Sequence, residues 1–181
     1  MLGAAGSGDG QRCTCDFVCQ NAGMRIQDFV AAETEQAVKW LFDTARHVPA
    51  DKLEWKPLDN GRSCLDQLQE CAQAPTWFLP MLETRQTQQL DPAMYEEARA
   101  ARREWDTLEK CEEVCKANTA KLLDVIRNYP DEDLSTEIAH PFAPGETIKL
   151  AHVMLWHYWN MVYHLGQINY IQTLLGDFEM R

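Results

Sequence analysis

The stretch that decides the fold is Ala151-His-Val-Met-Leu-Trp-His-Tyr-Trp-Asn-Met-Val-Tyr-His-Leu-Gly-Gln-Ile-Asn-Tyr-Ile-Gln-Thr-Leu-Leu-Gly-Asp177. It is aromatic and apolar almost all round, the mark of a helix buried against several neighbours. Thr147 is placed to cap it, and Gly176 to stop it just after Leu175. Gly166 lies mid-helix at a cost of about 1 kcal/mol relative to alanine, so a packing demand must justify it. His157, Asn160 and His164 fall on one stripe of this helix, because steps of three, four and seven return to nearly the same face.

Working outward, three more helical patterns complete a four-helix bundle with long second and third connections. From Ile26 to Val48 the residues Val30, Ala37, Leu41, Ala45 and Val48 recur at helical spacing, and Pro49 stops them. Asp51 to Arg62 is a polar linker with an Asn60-Gly61 turn signal. Ser63 and Asp66 resemble a capping box and open a second helix with Leu65, Leu68, Ala72, Leu79 and Leu82 on one face. Pro75 and Pro80 interrupt it and predict a kink or an early end.

Arg85 to Arg103 is polar, with a short connecting helix starting at Asp91-Pro92. The third long helix runs from about Asp106 to Tyr129. Its stripe is Leu108, Cys111, Cys115, Asn118, Leu122, Val125 and Tyr129, with one polar intruder at Asn118. Residues 131–145 form a loop with an extended piece over Leu134 to His140.

Composition sets the outer limits. The 181 residues carry 17 Lys and Arg against 28 Asp and Glu, a net charge of −11 that argues against nucleic acid and anionic membrane surfaces. No apolar run reaches the ~18 residues of a membrane-spanning helix. Residues 1–23 are rich in Gly, Ala and Ser and lack periodicity. They read as a disordered tail or a mis-assigned start, leaving 24–181 as the domain. Cys13, Cys15 and Cys19 in that tail have no fourth ligand at a zinc-site spacing. Cys64, Cys71, Cys111 and Cys115 sit inside helical patterns and read as buried reduced thiols of a cytoplasmic protein.

Residue types alone leave His164 open between a hydrogen-bonded core histidine and a metal ligand. Asn160 lies one turn before it, at the spacing of a paired ligand. His157 is two turns away, roughly 10 Å, too far to share one ion. Trp156, Tyr158, Trp159 and Tyr163 either pack between helices or line an apolar pocket. Glu137-Ile-Ala-His140 has the spacing of a di-iron ligand pair but occurs once, and in a loop.

Three segments in order resemble the DinB-like superfamily: His47-Val-Pro-Ala-Asp-Lys-Leu-Glu-Trp-Lys-Pro57, Ser63-Cys-Leu-Asp-Gln-Leu-Gln-Glu-Cys-Ala72, and Tyr163-His-Leu-Gly-Gln-Ile168 with the Tyr170 to Asp177 run behind it. The resemblance covers about Arg25 to Phe178 and implies an all-α, DinB-like four-helix bundle, often a homodimer. It also implies one divalent metal, Zn, Ni or Mn, held by three histidines. Those positions fall here on Glu70, Asn160 and His164, so two of the three histidines are replaced; a one-residue shift would put Cys71 in place of Glu70.

The characterised branches of that family use the metal to activate a thiol, and include transferases of bacterial low-molecular-weight thiols and a thiol-dependent isomerase. The resemblance therefore implies a metal-dependent thiol transferase or hydrolase acting on a small molecule, with His157, Asn118 and Gln167 lining the same pocket. The two missing histidines set a second expectation beside it, a metal-free bundle that binds a small molecule or mediates a dimeric interaction.

Overall fold

A computed structural model describes residues 23–87 and 91–179. The expectations placed on residues 1–22 lie outside the described residues. The principal helices are α1 (Ile26–Ala45), α2 (Cys64–Gln73), α3 (Pro75–Thr84), α4 (Pro92–Ala101), α5 (Leu108–Arg127) and α6 (Leu150–Leu174). A two-stranded hairpin, β1 (Glu137–Ala139) and β2 (Thr147–Lys149), precedes α6. The bundle's four members are α1, the α2–α3 pair, α5 and α6. The α4 helix buries none of its residues and lies outside the core.

The second member is broken rather than bent. Pro75 takes the first position of α3, where its missing N–H removes nothing from that helix. The same missing N–H leaves the Cys71 carbonyl without its partner one turn on. The break is mended from α5: the Cys115 thiol lies 3.8 Å from the Cys71 carbonyl, and the Asn118 side chain donates to the Ala72 carbonyl at 2.9 Å. Pro80, expected to interrupt, is carried inside α3.

Three boundaries differ from expectation, each for a local reason. The first helix ends at Ala45, and His47 and Val48 turn back onto the Thr44 and Ala45 carbonyls before Pro49. The third long helix starts at Leu108 because the Thr107 hydroxyl accepts from the Lys110 amide. Thr147 does not cap α6. It lies in β2, where its hydroxyl donates to Glu137 at 2.8 Å. The amides of Leu150 and Ala151 instead donate to the Thr136 and Leu134 carbonyls, so the segment leading into β1 caps the helix.

The hairpin register pairs Ile138 with Ile148 and lays Ile138, 6% exposed, against Tyr129, Leu150 and Met154. Ser63 caps α2 as expected, accepting from the Asp66 amide at 3.1 Å. Gly176, at φ +93°, ends α6 in the left-handed region. The core runs the length of the bundle in two stretches. One centres on Leu41, Leu68, Cys111 and Met161, the other on Val30, Leu82, Leu122 and Met154.

Candidate functional site

At mid-bundle α2 and α6 present a polar cluster to each other. Glu70 on α2 places Oε1 3.1 Å from His164 Nε2 and 3.4 Å from Asn160 Nδ2. The three residues that the resemblance singles out therefore meet in space. His164 is 1% exposed, and its Nδ1 faces Gln167 Oε1 at 3.0 Å and Gln67 Oε1 at 3.3 Å.

Two arginines complete the cluster. Arg62, the last residue of the linker, reaches Glu70 Oε2 at 2.7 Å and Asp66 Oδ2 at 2.6 Å. Arg102, at the end of α4, donates to Asp66 Oδ1 at 2.9 Å and approaches Glu70 Oε2 at 3.6 Å. Its side chain is 3% exposed, and its Nε has no partner among the described residues. Burial pushes the Glu70 carboxyl up, but the hydrogen bond from His164 and the charge of Arg62 outweigh it and hold the group at about 2. Asp66 is lowered against its own burial by the same two guanidiniums, Arg62 first.

The cluster forms one end of a cavity of about 500 Å³, whose other walls are aromatic. Trp156 is the hub: its ring centroid lies 5.6 Å from Phe78 in an edge contact, 5.9 Å from His140 and 6.0 Å from Phe142. Trp77 and Tyr95 extend the wall, and Trp159 and Tyr163 reach it from α6. Tyr158, expected among them, packs instead against the core around Met161. A larger groove of about 670 Å³ between α1 and α5 has walls of mutually paired charges such as Arg46 and Glu112, and brings no reactive group together.

Three residues expected in the same pocket do not line it, although Gln167 touches its polar end through His164. Asn118 is spent on the Ala72 carbonyl. His157 is fully buried with Nε2 2.8 Å from the Thr119 hydroxyl, and burial drives its pKa down to about 3. Gln167 lies in a shallower groove beside the cavity. Cys71, the alternative to Glu70, faces the core beside Cys115, and burial raises its thiol well above the usual range. His140 enters the cavity wall from the end of β1, while its di-iron-spaced neighbour Glu137 binds Thr147.

The donor set does not fit a divalent ion as it stands. It offers one imidazole, one amide and a carboxylate already engaged by Arg62 and Arg102, and a dication there would face both guanidiniums. No group of three His, Cys, Asp or Glu gathers at metal-binding distance among the described residues. The buried Asn160 Oδ1, which accepts no hydrogen bond among the described residues, points the other way.

The two arginines are the residues of the cluster that sequence reading passes over. Both fall in polar connections with no periodicity, and Arg102 is recognisable only once α4 folds back over α2.

No family model matches the chain, and no curated protein matches its sequence. Among solved structures, the crystal structure of a DinB-like protein from Bacillus subtilis, YjoA, is similar with a TM-score of 0.59 at 14% identity. The match covers 84% of this chain and 95% of that one. No described helix is long and apolar enough to cross a membrane. The mostly helical architecture and this similarity agree on one conclusion: the chain has the DinB-like helical-bundle fold.

Proposed function

We propose that the bundle binds a small organic molecule, with a flat apolar body and an anionic head, in the cavity beneath Trp156, without a metal. The observation that carries this reading is the composition of the wall. Aromatic rings surround a space of a size that suits a small ligand, and the charged end presents the partly exposed Arg62 guanidinium, which with Arg102 is paired to Asp66 and Glu70. A planar body would lie against Trp156 and Phe78, and its head would share the fork of Arg62, a third of whose side chain is exposed.

A second reading keeps the metal: a thiol transferase or hydrolase using Zn, Ni or Mn. It is favoured by the convergence of Glu70, Asn160 and His164 and by the unpartnered Asn160 oxygen. It requires Arg62 to leave Glu70.

Titration with 1-anilinonaphthalene-8-sulfonate in the presence of a chelator tests the first reading. One equivalent should bind with a rise in dye fluorescence, more tightly than uncharged N-phenyl-1-naphthylamine. Trp156→Ala and Arg62→Ala should each weaken it at least tenfold. Equal affinity for both dyes, or binding unchanged by both substitutions, overturns it. One equivalent of divalent metal in protein purified without a tag, lost in His164→Ala, would establish the second reading instead.

A further inference from the structure

A polar side chain also lines the aromatic cavity at the end remote from the charged cluster. His140 lies beside Trp156, 5.9 Å between ring centroids, whereas Glu70 meets α6 at Asn160 and His164. From Trp156 to His164 the helix advances roughly 12 Å. The cavity therefore has a polar group at each end of its aromatic wall.

Three hydrogen bonds fix the position and the chemistry of His140. Its amide donates to the Glu146 carbonyl at 2.9 Å, which extends the hairpin by one rung. The Thr87 hydroxyl donates to the adjacent Ala139 carbonyl and ties the strand to the segment after α3. The third bond sets the tautomer: the Phe142 amide donates to His140 Nδ1 at 3.1 Å. A ring nitrogen that accepts a hydrogen bond holds no proton, so the hydrogen of the neutral ring is on Nε2. Nδ1 is turned back on its own backbone, and Nε2–H is the donor left at the opposite edge of the ring. Among the described residues nothing accepts from it.

The turn alone does not call for a histidine. An Asn or Asp side chain also accepts from an amide two residues on. What the imidazole adds is a ring against Trp156 and a second nitrogen with a proton to give. Deepening the reading of the cavity, on which this rests, we infer that the ligand carries a carbonyl oxygen at the end of its planar body opposite the anionic head. His140 Nε2–H is the donor that selects it. With the head in the fork of Arg62 and the far end beside His140, a single ring is too short. The ligand class narrows to a two-ring aromatic acid with a ketone, aldehyde or amide oxygen on its far ring. A donor set in an apolar wall discriminates more sharply than the wall does, because a ligand without the acceptor leaves the N–H unpaired.

Isothermal titration of the full chain with a chelator present tests this with two acids of one shape. These are 6-acetyl-2-naphthoate and 6-isopropyl-2-naphthoate, which differ in a carbonyl oxygen against a methyl group. His140 is half-buried, so the wild type should bind the acetyl acid about fivefold more tightly, the gain of a partly shielded hydrogen bond. His140→Phe keeps a ring against Trp156 but removes the donor. His140→Asn keeps an acceptor for the Phe142 amide but is too short to reach where Nε2 stood. In both variants the preference should vanish or reverse, since the isopropyl acid is the more apolar. A wild type that binds both acids without preferring the acetyl one overturns the inference and leaves the reading of the cavity standing. So does a preference that either variant retains. Binding of neither acid overturns the reading of the cavity, and the inference falls with it.

Discussion

The side-chain amide of Asn118 lies 2.9 Å from the carbonyl of Ala72, joining the middle of α5 to the point where α2 gives way to α3. In the sequence Asn118 is the one polar residue on an apolar stripe. In the structure it is the donor required by a break that Pro75 creates one helix away. Asn118→Leu preserves size but leaves the Ala72 carbonyl buried without a donor. It should cost about 1–3 kcal/mol of stability, read as a lower urea midpoint with an unchanged slope.

The Glu70–Arg102 contact should carry stability as part of a network. Arg102 is almost fully buried and depends on Asp66 and Glu70 for its charge balance. Glu70→Gln should destabilise by about 1–3 kcal/mol, discounted because Glu70 is partly exposed. Arg102→Ala should do at least as much, and the double variant should lose less than the sum. Additive losses in urea unfolding would show that the two residues act separately.

His157 should make the protein sensitive to mild acid. Its folded pKa is depressed to about 3 by burial, against an ordinary value of 6.5. The unfolded chain therefore binds a proton that the folded chain refuses, and stability is lost as pH falls from about 6.5 toward 3. Its Nδ1 is buried without a partner among the described residues, so folding does nothing to favour the charged form. Replacing it with glutamine should flatten stability between pH 6.5 and 4. An unchanged pH profile would mean that His157 is protonated in place.

The four helix-borne thiols should be inert while the protein is folded. Cys64, Cys111 and Cys115 are pushed up to about 12 by burial, and burial raises Cys71 well above the usual thiol range. Thiolate is the reactive form, so alkylation of these four should be limited by unfolding. Residue-resolved mass spectrometry after iodoacetamide treatment should show them labelled at one shared rate that rises with urea. Rapid labelling of Cys111 alone would instead reveal local opening at the start of α5.

What could be read from the sequence followed what repeats along it. The apolar stripes of α1, α5 and α6 have the helical period, so those elements and the bundle were legible, as was the Ser63 cap with its local three-residue signature. The failure at Thr147 is equally physical. A hydroxyl before an apolar run resembles a cap, but the decisive partners, Thr136 and Leu134, come from the turn leading into β1 and carry no local mark.

At the site, Glu70, Asn160 and His164 were found through resemblance and do converge. Arg62 and Arg102 escaped because nothing in an aperiodic polar connection announces burial. His157 and Asn118 were drawn toward the same cavity because they share helix faces with core residues. Facing inward does not say which neighbour is met.

The closeness of α1 and α6 has a consequence for biosynthesis. Gln172 near the end of α6 donates to the Thr44 carbonyl at the end of α1, a contact spanning 128 positions. The apolar faces of α1, α2 and α5 all leave the ribosome before the helix that covers them. Until α6 is released, the nascent chain is an unfinished sheath with wet seams, a client for holding chaperones. A premature stop codon before residue 150 would yield a polypeptide destined for proteolysis rather than a smaller working domain.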